Sequence, residues 1–128
     1  MILSNMINAK PPIQKKENAD LLASDNDAIY KFFAENEPDK LIEILEDEYI
    51  SYMNLLSAIE NSRFMINRRK LTPILLKLST HAIPAIRIAA IDILSEKITP
   101  RIKLEFGKLM EKETNEMIQS ILKKFLRK

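Results

Sequence analysis

Residues 81–98 read HAIPAIRIAAIDILSEKI, and the fold prediction begins from this stretch. At 100° per residue, the stretch predicts a helix that is apolar on two opposite sides. One side is formed by Ile86, Ala89, Ala90 and Ile93, and the other by Ile88 and Ile91. Such a helix is expected to lie between neighbouring helices, with the Ala89–Ala90 pair allowing close backbone approach. Arg87 and Asp92 are expected at the remaining edges, where they reach solvent.

The rest of the chain also predicts helices. Its 128 residues include one Gly, no Trp and no Cys, and are long enough to bury a core. Prolines and capping residues mark where helices begin. The predicted starts are Pro38, Thr72–Pro73, Pro84 and Thr99–Pro100, with a last helix from about Thr114. A short amphipathic helix is predicted around Ile29, Phe32 and Phe33, after a weak capping box at Ser24.

The chain divides into an arm and one helical domain. Residues 1–23 contain Pro11–Pro12 and a polar run, with little periodic apolar content. This composition predicts a flexible or loosely docked arm. Residues 24–128 are predicted to form a single all-α domain of about five to seven helices.

The helix order suggests an internal repeat. A shift of 32 positions places five apolar residues of one helix on five of the other: Ile86, Ala89, Ala90, Ile93 and Leu94 fall on Ile118, Ile121, Leu122, Phe125 and Leu126. Helix pairs that repeat at this period, and that cannot bury their apolar faces alone, are typical of stacked α-solenoids. We therefore expect a short right-handed superhelix built from antiparallel helix pairs.

The segment 86–94, Ile-Arg-Ile-Ala-Ala-Ile-Asp-Ile-Leu, resembles the second helix of a HEAT repeat. The preceding Pro73-Ile-Leu-Leu-Lys-Leu78 is similar to the first helix of such a repeat. The resemblance covers residues 71–98 well and 99–128 loosely. It implies a HEAT-like stack, and such stacks act as non-catalytic surfaces for protein partners and sometimes for nucleic acid.

Charge is distributed unevenly along the chain. Residues 1–62 carry a net charge of −7 and residues 63–128 carry +9, which gives the overall +2. Such asymmetry can mark a charged partner. The alternative is that helices from the two halves pack side by side and partly neutralise each other.

The sequence offers little for catalysis. Cys is absent, so thiolate metal sites and cysteine nucleophiles are excluded. The lone His81 lies in a predicted turn, and Gly107 as the sole glycine leaves no Gly-rich phosphate loop. The acidic cluster of residues 43–48 is expected to be a solvated helix face. We therefore expect a protein that is not an enzyme and that needs no cofactor and no metal.

The predicted function is protein–protein interaction, as an adaptor, a chaperone-like holder or a small inhibitor such as an immunity protein. The expected partner is another protein with an acidic patch. The predicted partner-binding residues are Arg87, Ile91, Asp92, Gln119, Lys123 and Arg127, with Ile91 as an exposed apolar anchor.

The alternative function is nucleic-acid binding by the basic half. The candidate phosphate contacts are Arg63, Arg68, Arg69 and Lys70. No run of about 18 uncharged apolar residues predicts a membrane span. We expect a cytoplasmic protein that is a monomer or a weak homodimer.

Overall fold

The computed structural model describes residues 26–127, and within this range the chain is all helical. A first helix, α1, spans 26–36. It is followed by α2 (Pro38–Glu46), α3 (Tyr52–Asn61), a 3₁₀ turn (Ser62–Phe64), α4 (Leu71–Leu78), α5 (Pro84–Ser95), α6 (Pro100–Lys112) and α7 (Glu116–Leu126). The described residues contain no strand, which confirms the all-α prediction and the expected number of helices. The predicted arm at 1–23 and the Ser24 cap lie outside the described residues.

Most helix starts follow the local chemistry of the sequence. Pro38, Pro84 and Pro100 each occupy the first turn of a helix, where the missing N–H costs no hydrogen bond. The Thr99 side chain accepts a hydrogen bond from the Ile102 N–H and caps α6 as predicted. The last helix is capped by the Asn115 side chain, so α7 begins two residues later than predicted.

The predicted N-cap at Thr72 is wrong. Helix α4 begins one residue earlier, at Leu71, and the Thr72 hydroxyl donates to the Arg68 carbonyl oxygen at 3.0 Å. Leu71 is fully buried, and this packing holds the start of the helix. Pro73 therefore lies inside the first turn, where it needs no hydrogen-bond acceptor.

The predicted apolar face of α1 is correct at Phe33, which packs against the core, but wrong at the other two positions. Tyr30 and Ala34 enter the core, whereas Ile29 and Phe32 are about half exposed. The apolar residues of α1 cover more than one face, so the sequence did not specify which face packs against α3. Polar contacts fix the choice: the Asp27 carboxylate accepts hydrogen bonds from the Ser57 hydroxyl and the Asn61 amide of α3.

Contacts near the helix ends show how the helices run. Arg68, just before α4, reaches the end of α5, where it donates to the Ile93 carbonyl oxygen at 2.9 Å. Helices α4 and α5 are therefore antiparallel. Arg63, just after α3, reaches Asp92 near the end of α5, so α3 and α5 run in the same direction.

Contacts of the same kind show how the remaining helices are arranged. Lys70, before α4, pairs with Asp39 at the start of α2, so these two first helices run in the same direction. Arg87 near the start of α5 reaches Glu113, just before α7, and α5 also contacts α7 directly. The arrangement is a stack of the pairs α2–α3, α4–α5 and α6–α7, in which second helices lie beside second helices.

Helix α5 lies between its neighbours, as its sequence predicts. It contacts α3, α4 and α7. Its buried residues are Ile86, Ala90, Ile91, Ile93 and Leu94. Buried side chains from all seven helices join one apolar cluster, with Phe106 of α6 and Ile118 and Leu122 of α7 completing it on the C-terminal side.

Candidate functional site

Arg87 was predicted to reach solvent and bind a partner, but the structure places it inside. Its guanidinium forms a two-pronged ion pair with Glu113, with both N–O distances at 3.0 Å. It also donates to the carbonyl oxygens of His81 and Ala82. The Arg87 side chain is 15% exposed and that of Glu113 is 7% exposed. Arg87 therefore joins the α4–α5 turn to the α6–α7 connection.

The environment of Glu113 keeps it ionised. Burial raises the pKa of its carboxyl group, but hydrogen bonds from the Asn115 N–H and the Arg87 guanidinium, and the charge of Arg87, together hold that pKa below its usual value. Gln119 adds to the same network, because its amide donates to the Glu113 carbonyl oxygen at 2.6 Å. Gln119 is therefore half-buried and tied to the connection.

The other predicted partner-binding residues separate into buried and exposed ones. Ile91 is only 1% exposed, so the expectation of an exposed apolar anchor at this position is wrong. The reason is that α5 is covered on both apolar sides. Asp92, Lys123 and Arg127 lie on the surface as expected, and the Asp92 side chain is 63% exposed. These three exposed residues remain candidates for partner contact.

The predicted phosphate contacts are mostly engaged within the chain. Arg63 pairs with Asp92 and Glu96, and Arg68 pairs with Glu96 at 3.0 Å. Lys70 pairs with Asp39 in an exposed salt bridge. Arg69 alone of the four forms no salt bridge within residues 26–127.

The second helices of the stack present a common outer surface, which the sequence reading missed. A shift of 32 positions relates Met53, Ala85 and Met117 as one row, Leu56, Ile88 and Ser120 as the next, and Glu60, Asp92 and Lys124 as a third. None of these nine side chains is fully buried. The signal was available: the same 32-residue shift, extended to α3, would have found these rows.

A groove runs between α3 and α5 on this surface, with a volume of about 510 Å³. The floor of the groove is apolar, and charged side chains line one of its ends. The residues that line it are Leu56, Glu60, Arg63, Ala85, Ile88, Ala89 and Asp92. We call this the second-helix groove. Met53, 59% exposed, lies one helical turn before Leu56.

Helices of the acidic and basic halves pack side by side, but few ion pairs link them. Among the described residues, one salt bridge joins the acidic half to the basic half, the exposed pair Lys70–Asp39. The remaining salt bridges connect residues of the same half. Mutual neutralisation of the two halves through ion pairs is therefore slight.

Other features of the surface fit structural roles. The His81 ring nitrogen Nδ1 accepts a hydrogen bond from the Ile83 N–H, so this side chain holds the α4–α5 turn. Within residues 26–127, no group of three or more His, Cys, Asp or Glu side chains is arranged to hold a metal ion. No helix in this range is both long enough and apolar enough to cross a membrane.

No family model, curated protein or solved structure matches this chain. The helical architecture is compatible with a helical repeat, and the HEAT-like resemblance stays a prediction. The site must therefore be interpreted from its own geometry.

Proposed function

We propose that this protein is a cytoplasmic, HEAT-like interaction module that binds a partner protein through the second-helix groove. The observation that carries the proposal is the groove itself: an apolar floor, open to solvent, with charged side chains at one end. Apolar floors with polar rims are typical of protein-binding surfaces. Met53 and Met117 extend the apolar surface, and methionine side chains adapt to varied partners.

The charges around the groove favour a particular orientation of the partner. Lys123 and Lys124 of α7, and Arg127 directly after it, are exposed. Glu60 and Asp92, in contrast, line the groove. A partner with an acidic patch would meet α7 while placing an apolar side chain between α3 and α5. Charge complementarity of this kind steers association and selects among partners.

This role needs no catalytic group and fits an adaptor, a chaperone-like holder or an inhibitor such as an immunity protein. It also fits a chain that is a monomer or a weak homodimer. Nucleic-acid binding stays the alternative, although three of its four predicted contacts pair with carboxylates of the chain.

The test uses site-specific photo-crosslinking followed by affinity measurement. A crosslinker at Met53 should capture one partner in the native host, whereas a crosslinker at Leu104 should not. Leu104 is a matched control, because it is 61% exposed but lies on α6, a first helix.

With the captured partner purified, the double variant Met53→Glu/Ala85→Glu should bind it at least about tenfold more weakly, equivalent to about 1.4 kcal/mol. Leu104→Glu should bind as the wild type does. Unchanged affinity of the double variant, with a wild-type melting temperature, would place the interface elsewhere.

A further inference from the structure

A second concave site lies at the edge of the stack where the start of α4, the end of α5 and the start of α6 meet. Its volume is about 350 Å³. Four cationic side chains line it: Arg68, Arg69, Lys97 and Arg101. The hydroxyl-bearing residues Thr72 and Thr99 line it as well, above the side chains of Leu75, Leu94 and Ile102. We call this the basic cleft.

Within the part of the chain that the structure describes, most of this positive charge has no carboxylate partner. Arg69, Lys97 and Arg101 form no salt bridge within residues 26–127. The carboxylate of Glu96 is shared between Arg63 and Arg68, at 3.4 and 3.0 Å. Arg68 itself is engaged within the chain, because its guanidinium donates to the Ile93 carbonyl oxygen and to the Glu96 carboxylate. Three of the four cationic side chains of the cleft therefore lack a carboxylate partner among the described residues.

The cations also stand where helix electrostatics disfavours them. The first turn of an α-helix carries partial positive charge and favours anions. Arg101 lies in the first turn of α6, Arg69 precedes α4, and neither helix has an acidic residue in its first turn. Asp39 and Glu116 lie in the first turns of α2 and α7, whereas α3 and α5, like α4 and α6, have no acidic residue there. Like charges gathered at the starts of two helices repel each other unless an anion lies between them.

The donor set indicates the class of anion. Guanidinium and ammonium groups placed around one concave site match the several acceptor oxygens of a phosphate group. The volume falls within the range of small-molecule sites. No aromatic side chain lines the cleft, so it lacks the stacking surface that single-stranded nucleic acid requires.

We propose that the basic cleft binds the phosphate group of a small phosphorylated molecule. Arg69 and Arg101 contact the phosphate oxygens from the two helix starts, and Lys97 supplies a third positive charge. The basic cleft is distinct from the second-helix groove. A negative result for phosphate binding would therefore leave the proposed function unaffected, and the reverse also holds.

The experiment titrates the full chain with inorganic pyrophosphate and follows backbone amide resonances by NMR, at constant ionic strength maintained with NaCl. We expect saturable shifts at residues 68–70 and 97–102, and a higher melting temperature through ligand linkage. The variant Arg69→Gln/Arg101→Gln should weaken binding at least about tenfold. Its own stability should equal or exceed that of the wild type, because it removes cations from two helix starts.

The matched control is Lys124→Gln/Arg127→Gln, which removes the same charge from exposed positions at the C-terminal end of α7. It should bind pyrophosphate as the wild type does. Absence of saturable shifts, or equal weakening in this control, would overturn the proposal. So would tighter, steeply salt-dependent binding of a poly-dT oligonucleotide at the same residues, which would indicate nucleic acid. Equal shifts from a poly-glutamate peptide would indicate an acidic protein surface instead.

Discussion

At the scale of single residues, the pair Arg87–Glu113 shows how context changes the role of a charge. In the sequence, Arg87 is one polar residue in an apolar helix, and an edge position is the natural expectation. In the structure, Glu113, 26 positions later, gives it a buried partner. A guanidinium that pairs with a carboxylate through two hydrogen bonds tolerates burial.

Glu113→Gln should lower the free energy of unfolding by roughly 2–3 kcal/mol at pH 7, because it leaves the Arg87 guanidinium largely buried without its counter-charge. The pKa of Glu113 is lower in the folded chain than in the unfolded one. Its contribution is therefore complete above about pH 4.3, the ordinary value for an unfolded glutamate, and is lost as the pH falls further.

Urea unfolding at several pH values measures this contribution. The difference between wild type and Glu113→Gln should be constant near neutrality and should shrink below about pH 4.3. A difference that stays the same down to pH 3 would show that the ionised carboxylate of Glu113 is not what stabilises the connection.

At the scale of helices, Gly107 makes α6 less stable than an alanine at the same position would. This residue lies in the interior of the helix Pro100–Lys112, with no positive backbone φ. Apart from its chain neighbours and the nearby backbone of its own helix, a Cβ atom added there would have no atom within 4 Å. Glycine in a helix interior costs conformational entropy that alanine does not.

Gly107→Ala should therefore raise the free energy of unfolding by about 0.5–1 kcal/mol. Thermal unfolding followed by circular dichroism provides the measurement. A lower melting temperature would contradict the open space that the structure shows beside Gly107.

At the scale of the whole molecule, the tertiary arrangement distinguishes two adjacent alanines that the sequence treats alike. Ala90 is fully buried, whereas Ala89 is half-buried and lines the second-helix groove. Helix α5 contacts α3, α4 and α7, and the groove leaves part of its surface beside α3 open to solvent.

Ala90→Leu should lower the free energy of unfolding by about 1–3 kcal/mol, because the added atoms have no space. Ala89→Leu should change it by less than about 0.5 kcal/mol, because its side chain can extend into the groove. Denaturant midpoints of the two variants compare them directly. If both variants unfold at the wild-type midpoint, the packing of α5 between its neighbours is wrong.

The sequence by itself determined the helical class, most helix starts and the interior position of α5. These features are local: prolines, capping side chains and apolar periodicity act within a few residues of each other. The 32-residue correspondence also holds between α5 and α7, where Ile86 and Ala90 correspond to the buried Ile118 and Leu122.

The tertiary structure alone decided which residues can form a site. Arg87 pairs with Glu113, and Ile91 is covered by the helices that pack on the second apolar side of α5. In α1, Tyr30 is buried and Phe32 is exposed. Each outcome depends on contacts between residues far apart in the chain. The pattern of apolar residues along a helix indicates which of its faces are apolar. Helices that are distant in the sequence but packed nearby determine which of those faces stays open to solvent.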